Sequence, residues 1–352
     1  MSRLFNPVWR RGGPGGALVC ALVCALVCAL ICARIAALAP VAAAAAGQDS
    51  GAPAAGVAES RAPLRFFAFG DLPYGESEVA PMERLLAAAV AQGSPFIVHV
   101  GDIKSGSSPC TDEQLQAIAG IFRAVPVPLV YTPGDNEWTD CHRWSAGGLD
   151  PRARLARVRE VFYADPGVLR LTALGVTSAA PDFPEVYGFV LREVLFVALH
   201  VVGSDNGYDA DDPAAQAEFG ARDAANRAFL TRVLASPQGR AARALVIVIQ
   251  ADPLFESAPG PHGFRGFKAQ LVALMGQFPG PVLLIHGDTH QYRHDHPLLD
   301  PARGIPFERL TRLEVPGSPF LGGVWVTVDP LAAEPFASAP VYAGSLDSVG
   351  AQ

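Results

Sequence analysis

Four apolar runs in this sequence end in glycine followed by aspartate. They are Phe66-Phe67-Ala68-Phe69-Gly70-Asp71, Phe96-Ile97-Val98-His99-Val100-Gly101-Asp102, Pro128-Leu129-Val130-Tyr131-Thr132-Pro133-Gly134-Asp135 and Val282-Leu283-Leu284-Ile285-His286-Gly287-Asp288. Parallel strands buried on both faces read as continuous apolar runs, and open α/β sheets gather ligands beyond the carboxyl ends of their strands. A glycine just past a strand lets the chain turn sharply, often at positive φ, and lets backbone approach a ligand. Four carboxylates brought to one sheet edge would repel one another and lose hydration. Hard cations relieve both effects, so the pattern predicts a metal site built from oxygen donors.

The order and context of these segments resemble the calcineurin-like metallophosphoesterase family over about residues 64–328. That family's motifs, each closing a strand, run Asp-x-His, Gly-Asp-x-x-Asp, Gly-Asn-His-Asp/Glu, a His near a Pro, and Gly-His-x-His. The counterparts here are Gly70-Asp71-Leu72-Pro73-Tyr74, Gly101-Asp102-Ile103-Lys104, Gly134-Asp135-Asn136-Glu137, Gln250-Ala251-Asp252-Pro253 and Gly287-Asp288-Thr289-His290. The resemblance implies an α/β fold, a four-layer αββα sandwich of two mixed sheets flanked by helices. It implies hydrolysis of a phosphoester by a metal-activated water, with one or two divalent ions (Mn, Fe, Zn, Mg or Ca) held by Asp71, Asp102, Asp135, Asp252, Asp288 and His290. A small phosphoester or a lipid head group would be the substrate.

The departures matter as much as the matches. Pro73 stands where the family has a metal-binding His, and Asn136 where it has the His near the leaving group. Asp135 replaces a ligand Asn, Asp252 or Gln250 a ligand His, and Asp288 the first His of the last motif. Oxygen donors are kept while imidazoles are lost, which makes the implied site harder. The first metal position keeps only Asp71, Asp102 and His290. A catalytically reduced binding protein with the same fold is the alternative.

Other residues take supporting roles in this reading. Lys104 and Arg293 are candidate phosphate contacts, since cations near a metal crevice stabilise transferring phosphoryl groups. Asn136 is a candidate for substrate and leaving-group contact. His142, in Asp140-Cys141-His142-Arg143, is the candidate for the proton donor that Asn136 cannot be. His294 and His296 read as exposed loop residues, His99 and His286 as core or supporting residues, and His200 as structural. Cys110 lies eight residues after Asp102 and Cys141 six after Asp135. In an exported protein that placement predicts a disulfide, with two loop thiols or a thiolate ligand as the alternatives.

The first residues read as a targeting segment. Arg3, Arg10 and Arg11 precede an apolar stretch from Ala17 to Ala33, and Ala42 to Ala46 offer small residues for cleavage. Residues 1–46 are therefore expected to be a signal peptide, giving a periplasmic or extracellular protein. An uncleaved signal anchor is the alternative, and membrane contact is expected only then. Residues 47–63 read as a flexible linker, 64–330 as the domain and 331–352 as a tail. A net charge of −7 argues against nucleic-acid binding through a basic surface.

To position the motifs, strand and helix signals must alternate, and they do. Strands are expected at 64–69, 96–100, 127–131, 187–191, 194–199, 244–249 and 282–285, with 310–315 and 323–328 closing the second sheet. Helices are expected at 77–92, 111–123 (opened by a Thr111/Gln114 capping box), 151–163, 214–234 and 266–275.

Overall fold

The computed structural model describes residues 62–257 and 262–346. The expected targeting segment and nearly all of the expected linker lie outside them. Among the described residues no helix is long and apolar enough to cross a membrane.

The elements are β1 (Leu64–Phe69), α1 (Glu76–Ala91), β2 (Ile97–His99), α2 (Asp112–Ala124), β3 (Leu129–Tyr131), α3 (Pro151–Tyr163), β4 (Thr177–Ala180), β5 (Phe183–Leu191) and β6 (Val194–Ala198). After these come α4 (Pro213–Ala235), β7 (Ala244–Val248), α5 (Arg265–Gln277), β8 (Val282–His286), β9 (Arg293–Asp295), β10 (Leu310–Glu314), β11 (Gly322–Val328) and β12 (Phe336–Tyr342). One sheet has the order β12-β11-β1-β2-β3, the other β4-β5-β6-β7-β8-β10-β9. Both mix parallel and antiparallel pairs.

Alternation along β1 builds the layers. Phe66 and Ala68 enter a core between the two sheets, shared with Val246, Val248 and Ile285. Phe67 and Phe69 point the other way, into a core with Leu85, Leu86, Leu115 and Phe122 of α1 and α2. On the far side of the second sheet, Leu245 and Ile247 meet Phe229 of α4 and Leu271 of α5. Helix, sheet, sheet and helix therefore stack in the expected order. Phe66 stacks on Phe96 at 4.9 Å between centroids and meets Phe196 edge-on at 5.5 Å, joining the sheets. Burying each such ring stabilises the fold by about 2–3 kcal/mol.

The helices start where side chains satisfy their free N–H groups. Thr111 Oγ1 accepts from Gln114 N at 3.3 Å to open α2, and Asp150 accepts from Arg152 N at 3.0 Å ahead of Pro151 to open α3.

Two expectations are corrected here. β11 does not close the second sheet: it pairs antiparallel with β1 in the first, Leu64 opposite Val328. The domain also does not end near 330. β12 pairs with β11 along its whole length, Gly322 opposite Tyr342, so much of the expected tail is an edge strand.

Candidate functional site

Asp71, Asp102, Asp135 and Asp288 sit just past β1, β2, β3 and β8, so both sheets deliver carboxylates to one end of the sandwich. The chain turns there differently from the expectation. Of the four glycines only Gly101 has positive φ; Asp71, Asp102 and Asp288 themselves adopt left-handed backbone at φ 52°, 56° and 81°, as does His290 at 65°. Aspartate tolerates that region better than most residues. What glycine supplies is room: a Cβ on Gly134 would lie 1.9 Å from Asp102 Oδ1, and one on Gly287 2.1 Å from Asp71 Oδ2.

The hydrogen bonds divide unevenly. Asp71 Oδ1 accepts from Asp288 N at 3.1 Å. Asp102 accepts from Asn136 N at 3.2 Å, Asn136 Nδ2 at 2.8 Å and Tyr74 OH at 3.1 Å. Asp135 Oδ2 accepts from Ser204 Oγ at 2.8 Å. Asp71 Oδ2 and Asp135 Oδ1 are buried without a hydrogen-bond partner. All four carboxyls are pushed above the usual carboxylate range, first by burial; repulsion adds to this, within the group for Asp71, Asp102 and Asp135 (the last to about 7) and from Asp252 for Asp288.

His290 joins this group. Its Nδ1 lies 2.6 Å from the Ser318 carbonyl, which can only accept, so in the neutral ring Nδ1 carries the proton and Nε2 the lone pair. Nε2 stands 3.8 Å from Asp71 Oδ1 and 3.0 Å from Tyr74 OH. The Tyr74 hydroxyl thus lies between Asp102 and His290 and also accepts from Asn136 Nδ2 at 3.1 Å.

The remaining candidates fall elsewhere. Asp252 donates its N–H to Asp288 Oδ2 at 3.0 Å, while its carboxylate accepts from Leu254 N at 2.9 Å and pairs with Arg293 at 3.5 Å. Lys104 does not reach out to a phosphate: it is fully buried, and its Nζ donates to the Ser105 and Asn136 carbonyls at 2.7 and 2.8 Å. Sequence gives its charge but not its enclosure. His142 is exposed, holds the Thr139 carbonyl through Nδ1 at 2.6 Å, and lines a cavity of about 480 Å³ with Trp138, Tyr208 and Ser204. Ser204 connects that cavity to Asp135. His294 bonds Ser338 Oγ and His296 the Leu310 carbonyl, on and just past the edge strand β9. Cys110 and Cys141 form a disulfide, with Cα atoms 5.8 Å apart.

Sequence reasoning passed over Tyr74 and Ser204. Tyr74 had a signal, the Asp71-x-x-Tyr74 spacing at a strand end. Ser204 follows another apolar stretch closed by glycine, Leu199-His200-Val201-Val202-Gly203, in which no aspartate marks the end.

A hard cation fits the donor chemistry: orphaned, deeply buried carboxylate oxygens beside an imidazole lone pair. Among the described residues no three His, Cys, Asp or Glu side chains form a ready-made metal-binding group, and the Tyr74 hydroxyl fills the space between two of the donors.

No family model matches this chain, and no curated protein matches it in sequence. Solved structures do. A purple acid phosphatase from yellow lupin (Lupinus luteus) seeds superposes at TM-score 0.53 and 12% identity, over 80% of this chain and 52% of that one. PhoD superposes at TM-score 0.50 and 12% identity, over 80% of this chain and 68% of that one. The chain has a divergent calcineurin-like metallophosphoesterase fold. With that fold, the strand ends carrying Asp71, Asp102, Asp135 and Asp288 are the place to look for chemistry.

Proposed function

We propose that this protein is a metal-dependent phosphoesterase. One observation carries the reading: Asp71 Oδ2 and Asp135 Oδ1 are buried without donors, next to Asp102 and the lone pair of His290. Asp71, Asp102, Asp135 and His290 would hold a divalent ion, with Asp288 beside them. Such an ion supplies a water acidic enough to ionise near neutrality and positive charge for phosphate oxygens.

The chain's own residues do the rest. The Ser318 carbonyl fixes the His290 ring in the tautomer that leaves Nε2 without a proton, facing the Tyr74 hydroxyl. The Asn136 side chain, donating to Asp102 and Tyr74, holds those two groups in register and presents an amide, which is too weak an acid to protonate a leaving group. His142 is our candidate for that proton donor: it lines a cavity together with Ser204, whose hydroxyl donates to Asp135. A cavity of about 480 Å³ with Trp138 and Tyr208 in its wall suits the organic part of a small phosphoester or a lipid head group. The disulfide agrees with export, since such bonds persist in oxidising compartments.

The second reading, a binding protein with this fold and reduced catalysis, has its own support in Asn136 and in the lack of a ready-made ligand group among the described residues. Assaying p-nitrophenyl phosphate and bis-p-nitrophenyl phosphate, with Mn²⁺, Zn²⁺ or Mg²⁺ added to protein stripped with EDTA, separates the two. Metal-dependent turnover is expected. Metal uptake without turnover on either ester would favour the binding protein.

A further inference from the structure

The two halves of the carboxylate cluster are not alike. Around Asp71, Asp102, Asp135 and His290, two buried carboxylate oxygens have no hydrogen-bond donor, and their side chains are 0% and 6% exposed for Asp71 and Asp135. Around Asp252 and Asp288 each carboxylate oxygen is served by the chain. Asp288 Oδ1 accepts from Gln250 Nε2 at 3.4 Å and Oδ2 from Asp252 N at 3.0 Å. Asp252 Oδ1 accepts from Leu254 N at 2.9 Å, and its Oδ2 faces the Arg293 guanidinium at 3.5 Å. Glu314 Oε2 at this end is buried without a hydrogen bond as well, but it lies 3.3 Å from Arg293 Nε, an ion pair that the orphaned oxygens of Asp71 and Asp135 lack.

Many phosphatases place two ions about 3.5–4 Å apart, the second clamping a phosphate oxygen. We propose that in this protein Arg293 takes the place of the second ion: its guanidinium neutralises the Asp252, Asp288 and Glu314 end, and a single metal ion binds at the Asp71, Asp102, Asp135 and His290 end. The inference rests on the metal-dependent reading above and specifies its stoichiometry. An arginine suits the role because it does not lose its proton in proteins. A second cation could not displace it by deprotonation, as it could a lysine or a histidine. Arg293 is also 29% exposed, so the face not held by Asp252 and Glu314 is open to an anionic substrate oxygen. Planar guanidinium donors recognise phosphate well.

The test is a titration of metal-free exported protein with Mn²⁺, followed by calorimetry for stoichiometry and by electron paramagnetic resonance for spacing. The wild-type chain is expected to take one Mn²⁺ with the six-line spectrum of an isolated ion. Arg293→Gln should take two and show a spin-coupled pair, while Arg293→Lys, which keeps a positive charge, should stay at one. Two ions or none in the wild type, or one ion in a folded Arg293→Gln, would overturn the proposal. Because the wild-type count decides by itself, a misfolded variant does not rescue the idea. Turnover of bis-p-nitrophenyl phosphate on the same sample keeps the two claims apart. Two ions with turnover would sink this inference alone, and one ion without turnover would sink the hydrolase reading alone.

Discussion

Removing the charge of one aspartate should change how stability depends on pH, by an amount that follows from its burial. Asp135 is pushed up to about 7, first by burial and then by Asp288 and Asp140. A carboxyl whose pKa is higher folded than unfolded favours the fold while protonated. Its contribution is complete below pH 4 and is lost as pH rises toward 7. Three units at about 1.36 kcal/mol each give a loss of up to about 4 kcal/mol. Buried histidines act in the opposite sense within the same window: His99 is lowered to about 3 and His286 to about 4 by burial, so they add stability as pH rises toward 6.5. The measurement therefore has to be a difference. Urea unfolding of EDTA-treated wild type and Asp135→Asn from pH 4 to 7.5 cancels the histidines, which both proteins share. Asp135→Asn should gain on the wild type by several kcal/mol between pH 4 and 7. Saturating Mn²⁺ should reverse the order at neutral pH, because only the wild type offers the full carboxylate set. A difference that stays flat across this window would mean that Asp135 is not electrostatically burdened and that the case for a cation there fails.

Asp102→Ala should lose bound metal and phosphoesterase turnover together, read by elemental analysis and ester hydrolysis; normal metal content with normal turnover would show the site to be misplaced. His290→Ala should cost a large factor in turnover with the fold intact, while His294→Ala and His296→Ala, on and beside the edge strand β9, stay near wild type; equal losses in all three would show the His290 assignment to be wrong. Replacing both Cys110 and Cys141 by Ala opens a loop spanning 31 residues and should destabilise by roughly 3–4 kcal/mol, or about 5–7 °C in Tm for a domain of this size. Scanning calorimetry with thiol titration tests it, and a change under about 1 kcal/mol would contradict the loop-entropy account.

The sequence made the strand ends legible because apolar runs closed by Gly-Asp combine two independent signals, burial and an abrupt turn. It also made α3 legible to the residue, since Asp150-Pro151 both caps and starts a helix. It concealed β4, with Thr177 and Ser178 exposed, and β9, three polar residues of which His294 and Asp295 are exposed, because neither has an apolar face to alternate. β12 was hidden by Pro340 and its small residues, which read as a tail but suit an edge strand. Partner choice was the deeper difficulty: nothing in Gly322–Val328 says whether it joins the first or the second sheet. In the site, residue type predicted charge and missed its use. Lys104 is enclosed by carbonyls and Arg293 by carboxylates, and only the tertiary structure brings those acceptors to them.

The pairing of β1 with β11 sets a condition on how the molecule can be made. Leu64 has Phe67↔Ile97 pairing close at hand on one side of its strand, but on the other it waits for Val328. As the chain is synthesised, an aromatic strand lies with one edge unpaired until the distant β11 has emerged, and such edges recruit other chains. Contacts this distant in sequence also slow folding. Producing the protein should therefore depend on factors that shield nascent chains, and removing β11 and β12 should yield insoluble material although neither strand holds a residue of the site.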